Sequence, residues 1–243
     1  MAVFVLTVLI LAVSLLYASV GQAGGSGYLA AMALLGFAPA VMKPTALVLN
    51  VLVALISTVK FWRAGRVPWV TFWPFAAASI PAAFIGGMVS PSVALYQTVA
   101  GVVLWYAAYR LLRVTPGTSS AGIKPPRLWA ALIFGTGIGL LSGFTGIGGG
   151  IVFGALLLSM RWAETRETLG MSAALNLSNS SAGLLGHLSN TTALPSALPL
   201  WAAAAVVGGW VGADYGSRRL SQVTLQRLLA VVLIIAGFKL IFV

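Results

Sequence analysis

Long apolar runs separated by short polar or glycine-rich breaks dominate the chain. Ten can be marked off: 2–20, 25–42, 44–62, 68–88 and 92–113, then 128–145, 147–160, 167–187, 195–213 and 222–243. Most approach the roughly 20 residues that carry a helix across the hydrocarbon core of a bilayer. The pattern predicts an all-α polytopic membrane protein of about ten transmembrane segments. Between the two sets of five lies 114–127 (VTPGTSSAGIKPPR), rich in Pro, Gly and Ser, which reads as a linker. The expected organisation is a first transmembrane repeat at 1–113, a cytoplasmic linker at 114–127 and a second transmembrane repeat at 128–243. The first run ends near Ala18, Ser19, Gly21 and Ala23, as a cleaved signal peptide would. No basic residue precedes it, and it has a counterpart in the second half, so it is read as a transmembrane helix.

The two sets read as copies. An offset of 123 pairs Gly25, Ser26 and Gly27 with Gly148, Gly149 and Gly150, Lys43 with Arg166, Thr45 with Thr168, and Ser57 with Ser180. After an insertion the offset becomes 129 and pairs Val102 and Val103 with Val231 and Val232, Ala107 with Ala236, and Arg110 with Lys239. Apolar matches alone carry little; matches that include the glycine cluster, a basic-x-Thr and the closing basic residue carry more.

Composition agrees with the membrane reading. Of 243 residues 60% are hydrophobic and 7% charged, against about 25% charged in a soluble domain. Cysteine is absent, which excludes disulfides and thiol chemistry. The net charge of +11 suggests nucleic acid, but the basic residues lie at segment ends, where membrane topology places them. If every segment crosses, Lys60, Arg63, Arg66, Arg110, Arg113, Lys124, Arg127, Arg161, Arg166, Arg218, Arg219 and Arg227 share one side and Lys43 and Lys239 the other, a split of 12 to 2. With segments two and seven as re-entrant hairpins the split falls to 8 to 6. The first count favours ten crossings, a cytoplasmic basic side and both termini periplasmic. Five crossings per half make the repeats inverted, as in secondary transporters, whose sites lie where glycine-broken segments of the two repeats meet.

Segments two and seven are those broken segments. Gly143–Gly150 reads GFTGIGGG and Gly21–Gly27 reads GQAGGSG, each after one apolar run and opening the next. Glycine admits positive φ and close approach. A helix starting there aims free N–H groups and its positive dipole end at whatever lies in front of it, the makings of an anion site. Close helix packing is the competing use of glycine; two clusters at equivalent places favour a site. Thr145, Ser26 and Gln22 add hydroxyl or amide groups.

Segment eight carries Thr168, Ser172, Asn176, Asn179 and Gly183 at spacings of four, four, three and four, one helical face. Such a stripe lines a pathway or bonds to neighbouring helices. In segment three, Thr45, Asn50 and Ser57 do not share one face. The three acidic residues, Glu164, Glu167 and Asp214, are expected in cytoplasmic loops. That leaves no carboxylate at membrane depth for a proton relay or a cation site, and no metal ligand set or cofactor is expected. The remaining amides, hydroxyls and helix ends suit an anion. His187, the single histidine, is expected as an interfacial hydrogen-bonder near the outer end of segment eight. Ser26 in GGSG with His187 on a later helix resembles the Ser–His dyad of rhomboid intramembrane proteases, but inverted repeats have no place in that fold.

With repeated glycine clusters each followed by a basic-x-Thr and a polar helix, the chain resembles the sulfite exporter TauE/SafE (TSUP) family. The resemblance rests on GQAGGSGYLAAMALLGFAPAVMKPTALVLN, on GFTGIGGGIVFGALLLSMRWAETRETLGMSAALN and on the turn AGRVPW at Ala64–Trp69, and covers nearly the whole chain. The first cluster departs from the family pattern in having Ser26 and one fewer glycine. The resemblance implies a permease for sulfur-containing anions such as sulfite, thiosulfate or organosulfonates (sulfoacetate) in the bacterial inner membrane. Export needs no coupled ion, because an inside-negative potential drives an anion outward with about 2.3 kcal/mol per charge per 100 mV. The expectation is therefore a non-enzymatic secondary transporter that exports by alternating access. Its expected substrate-binding residues are Gln22, Gly25, Ser26, Gly27, Thr45, Asn50, Thr145, Gly148, Gly149, Gly150, Thr168, Ser172 and Asn176. An anion channel, an importer of another small anion and a non-transporting scaffold are the alternatives. The expected partners are the anion and the lipid bilayer, not nucleic acid; a homo-oligomer is left open.

Overall fold

The computed structural model describes residues 2–19, 21–89, 92–113, 126–188 and 194–216, with 234, 235, 237, 238, 241 and 242. Among these residues it is all helical: α1 (Ala2–Ser19), α2 (Gly25–Leu34), α3 (Pro39–Arg63), α4 (Trp69–Met88), α5 (Val93–Arg113), α6 (Leu128–Thr145), α7 (Gly150–Ser159), α8 (Thr165–Leu188) and α9 (Leu198–Gly216). Most of the linker and of the tenth segment lie outside the described residues, and with them most of the matches at offset 129. By length and apolar composition α4, α6 and Ala40–Arg63 of α3 can each cross a membrane.

Glycines in the left-handed region end several helices. At the end of α2, Gly36 has φ +76, and Gly36 N and Phe37 N donate to the carbonyls of Ala33 and Met32. This paired closure stops a helix and satisfies its last carbonyls. The expected second segment, 25–42, is therefore not one helix: α2 stops at Leu34, and Pro39, preset for a first helical turn, starts α3. At ten residues each, α2 and α7 are about 15 Å long, half of a hydrocarbon core of about 30 Å.

The preceding glycine stretches supply the missing length. Gly21 lies against Phe61 and Leu169, near the basic end of α3 and the start of α8. Gly25 lies against Asn50, halfway along α3, and Phe37 stacks on Trp201 at the start of α9. Residues 21–37 thus run from the basic end to the opposite end, extended first and helical second. Residues 146–162 run the other way. Gly146 lies against Lys43 near the start of α3, Gly150 against Asn176, and Trp162 against Phe134 of α6.

Helix packing crosses the two sequence halves. Gly208 and Gly212 of α9 sit on the backbone at Leu11 and Leu15 of α1, so these helices run parallel. Gly135, Gly139 and Gly143 of α6 sit likewise on Phe75, Ser79 and Ala83 of α4. A missing Cβ at every fourth residue lets backbones touch, the usual device for helix association in lipid. Two apolar cores result. One joins α1, α2, α3, α5 and α9 around Tyr28, Leu49 and Trp201. The other joins α4, α6, α7 and α8 around Phe75, Phe153 and Leu175. Large apolar side chains such as Val70, Ile133, Leu185 and Trp210 remain exposed, as a surface facing lipid requires.

Candidate functional site

Where α3 of one core packs on α8 of the other lies a polar seam; α3 carries buried Thr45, Asn50 and Ser57, not all on one face, and α8 carries buried Thr168, Ser172, Asn176 and Ser180. The broken segments meet in it. A Cβ on Gly25, the first residue of α2, would stand 2.5 Å from the carbonyl oxygen of Ile147, in the stretch leading to α7. Gly24, which precedes α2 with φ +102, offers no side-chain cap to the helix. Ahead of α7, Gly148 and Gly149 have φ +87 and +79, a backbone that side chains resist. A Cβ on Gly148 would meet Asn176 Oδ1 at 2.6 Å, Asn50 Nδ2 at 2.8 Å and Ser180 Oγ at 2.9 Å. Two half-length helices therefore point their positive ends at one buried polar cluster.

Two of the three amides in the cluster, those of Asn50 and Asn179, are half used. Asn50 Nδ2 donates to the carbonyls of Ile147 (3.1 Å) and Gly146 (3.4 Å), and Asn50 Oδ1 has no partner among the described residues. Asn176 Oδ1 accepts from Gly150 N at 2.7 Å and so caps α7. Asn179 Oδ1 accepts from Ser79 Oγ at 2.9 Å, and its Nδ2 is unpartnered among the described residues. The hydroxyls of Thr45, Ser57, Ser142, Thr168, Ser172 and Ser180 and the amide oxygen of Gln22 are likewise buried without a described partner. Buried polar groups are normally satisfied, so this concentration makes the cluster the candidate site. Among the described residues no three His, Asp or Glu side chains converge as metal ligands would.

Most of the expected site residues come together here. Gly25, Asn50, Gly148, Gly150 and Asn176 form the centre, with Gly149 against Ile138, Asn179 and Ser142. Gln22, Thr168 and Ser172 gather around Gly154 of α7, toward the basic end. Three others are differently employed. Ser26 Oγ pairs with Tyr17 Oη at 2.8 Å, and Gly27 packs against Val13 and Tyr17 of α1. Thr145 Oγ1 donates to Leu141 O at 2.7 Å, one turn back in its own helix. The Ser26–His187 dyad does not form. His187 is buried in the last turn of α8, and neither ring nitrogen has a partner among the described residues. The stripe on α8 divides: Thr168, Ser172 and Asn176 face α7, while Asn179 and Gly183 face α4 and α6. A face of about 100° on a helix packed against α3, α4, α6 and α7 meets more than one of them.

Ser79, Ser142, Asn179 and Ser180 were not among the expected site residues. Two of them carried a sequence signal: Asn179 its place in the stripe of segment eight, and Ser180 its match to Ser57. Lys43, expected at a membrane surface, is buried. Its Nζ donates to the carbonyls of Gly86 (3.4 Å), Gly87 (3.1 Å) and Val89 (3.1 Å), closing the C-terminal end of α4. Asp214, expected in a loop, lies instead in the last turns of α9 and forms an ion pair with Lys60, whose ammonium also sits 4.8 Å from the Trp210 ring centre. The pair ties this end of α9 to α3.

Comparison with known proteins identifies the family. A family model described as "Sulfite exporter TauE/SafE" matches residues 6–240. The chain belongs to this family. It is also 43% identical over 233 residues, 95% of its length and 94% of the relative's, to a Sinorhizobium fredii (strain NGR234) protein named "Probable membrane transporter protein y4hK". No solved structure matches. The TauE/SafE chain is a multi-pass membrane transporter.

Proposed function

We propose that this TauE/SafE protein is a secondary transporter that exports small sulfur-containing anions such as sulfite, thiosulfate or organosulfonates (sulfoacetate) across the inner membrane by alternating access. In this reading the chain crosses ten times as two inverted five-helix repeats, its basic side is cytoplasmic and both termini are periplasmic. The observation that carries the reading is the meeting of Gly25 with Ile147 and Gly148 between two helix N-termini.

The anion sits there, taking backbone N–H groups at Gly25, Ser26, Gly27, Gly148 and Gly149, while Asn176 holds the N–H of Gly150. Asn179, Ser142 and Ser180 add side-chain donors, and Gln22, Thr45, Thr168 and Ser172 flank the path. Asn50 and Asn176 hold the second glycine cluster in place. Each helix end contributes about 0.3–1 kcal/mol in water and up to about 2 when partly buried. No lysine or arginine is needed at the centre, so the site releases its ligand as readily as it binds it. Sulfur in the substrate is suggested by the family description. The seam between two separately packed cores supports alternating access: the cores tilt about it and expose the centre to one side at a time.

The test is solid-supported membrane electrophysiology on purified protein in liposomes, with sulfite, thiosulfate, sulfoacetate, taurine, sulfate and chloride offered in turn. A saturable current for a sulfur anion is expected. Silence for every anion, with a current for a cation or a neutral solute, would overturn the reading.

A further inference from the structure

A site between broken helices takes an anion or a cation according to which backbone groups face it. N–H groups at helix starts attract an anion, and unwound carbonyls bind a cation. The glycine stretches ahead of α2 and α7 carry both kinds of group, and side chains tie off the carbonyls at their entries. Asn50 takes those of Gly146 and Ile147. Two tyrosines take the carbonyl just ahead of a left-handed glycine in each stretch. Tyr28 Oη donates to Ala23 O at 2.9 Å, before Gly24 (φ +102). Tyr96 Oη, from α5, donates to Thr145 O at 3.3 Å, before Gly146 (φ +81).

The fit at Gly24 is tight. A Cβ there would stand 2.9 Å from Tyr28 Cζ and 3.0 Å from its Oη, so the phenol lies across bare backbone. Ser14 Oγ on α1 sits 2.8 Å from the same Oη. Tyr28 and Tyr96 are 0% and 3% exposed and belong to the apolar core of α1, α2, α3, α5 and α9. Their bonds draw the two carbonyl oxygens toward that core, whereas Gly25 faces Asn50 and Ile147. A trans peptide is planar with its C=O and N–H opposed, so holding Ala23 O on the Tyr28 side turns Gly24 N–H the other way. Flipping this peptide reverses the sign of φ at Gly24, which glycine tolerates; the Tyr28 bond opposes the flip. Gly146 is held a second time, because its N–H donates to Ser142 O at 2.8 Å; Gly24 N–H has no partner among the described residues.

We propose that Tyr28 and Tyr96 are positioning residues that keep backbone carbonyl oxygens out of the anion site, with Tyr28 the more important because Gly146 has its second tie. The inference rests on the proposed anion transport and deepens it by naming what sets the polarity of the site.

The test compares Tyr28→Phe, Tyr96→Phe and Tyr17→Phe in liposomes. The probe is whichever of sulfite, thiosulfate and sulfoacetate gives the largest wild-type current. Each change keeps the ring in an apolar core. Tyr17→Phe is the control, because the hydroxyl it removes pairs with a side chain, Ser26 Oγ, rather than with a carbonyl. The half-saturating anion concentration is expected to rise about tenfold in Tyr28→Phe and about threefold in Tyr96→Phe, with maximal current within about twofold of wild type, and to stay unchanged in Tyr17→Phe. A merely structural role would lower the maximal current and the unfolding midpoint and leave half-saturation where it was. Unchanged half-saturation in Tyr28→Phe, or an equal rise in Tyr17→Phe, overturns this proposal while a wild-type current leaves the transport assignment standing. Wild-type silence for every anion overturns the transport assignment, and this proposal with it.

Discussion

Asn50 on α3 donates a 3.1 Å hydrogen bond to the carbonyl of Ile147, 97 residues further along the chain. This bond, with its 3.4 Å companion to Gly146 O, fastens the glycine stretch before α7 to α3 and so links the two sequence halves. Asn50→Ala leaves two buried carbonyls unpaired, which costs about 1–3 kcal/mol. We expect a lower thermal unfolding midpoint in detergent and at least about tenfold slower anion flux in liposomes. Full flux in the variant would mean that the stretch is positioned by other contacts.

Much of the fold was legible in the sequence because bilayer thickness imposes run length, and eight of the nine described helices lie close to their expected runs. The exception, 25–42, carried its own correction in Gly36 and Pro39, the pair that ends one helix and starts the next. The glycine clusters and Asn50 were legible as well. The partnership of α1 with α9 and of α4 with α6 was not, because Gly208 or Gly139 reads the same whichever helix it meets. Nor does sequence tell a committed hydroxyl from an open one: Ser26 is engaged by Tyr17 while Ser172 has no described partner.

Lys43 supplies a buried cation to the carbonyl end of α4 through Gly86, Gly87 and Val89. Hydrogen bonds from a charged donor contribute about 1.5–3 kcal/mol in total effect when deleted. Lys43→Met keeps the length of the side chain and removes the donor. It should lower the unfolding midpoint and increase amide hydrogen exchange at the end of α4, with α1 and α9 unaffected. Exchange that rises evenly over the whole protein would contradict a local capping role.

Arg161 closes α7 with φ +56, the only described non-glycine residue at positive φ. Trp162 N donates to Leu157 O across it, the closure that glycine makes at the other helix ends. An L-residue there carries about 1–2 kcal/mol of strain, and glycine brings back about 0.5–1 in chain entropy. Arg161→Gly should therefore stabilise the protein by about 0.5–1 kcal/mol, read as a higher unfolding midpoint, whereas Arg161→Ala keeps the Cβ and gains nothing. Equal midpoints for the two variants would contradict the assignment of strain.

Which parts move follows from the packing. A Cβ on Gly209 of α9 would lie 3.6 Å from the Cβ of Val53 on α3, among the distances a disulfide spans. Val53→Cys with Gly209→Cys thus joins the first sequence half to the second, inside one apolar core. If the moving bodies are the two cores, the disulfide ties together residues that already travel as one. Anion flux should then be the same oxidised and reduced, with the bond verified by mass spectrometry of the oxidised sample. If the moving bodies are instead the sequence halves, oxidation locks them and flux stops until reductant is added. Because the chain has no cysteine of its own, the measurement needs no background substitutions, and inhibition on oxidation would assign the motion to the repeats rather than to the cores.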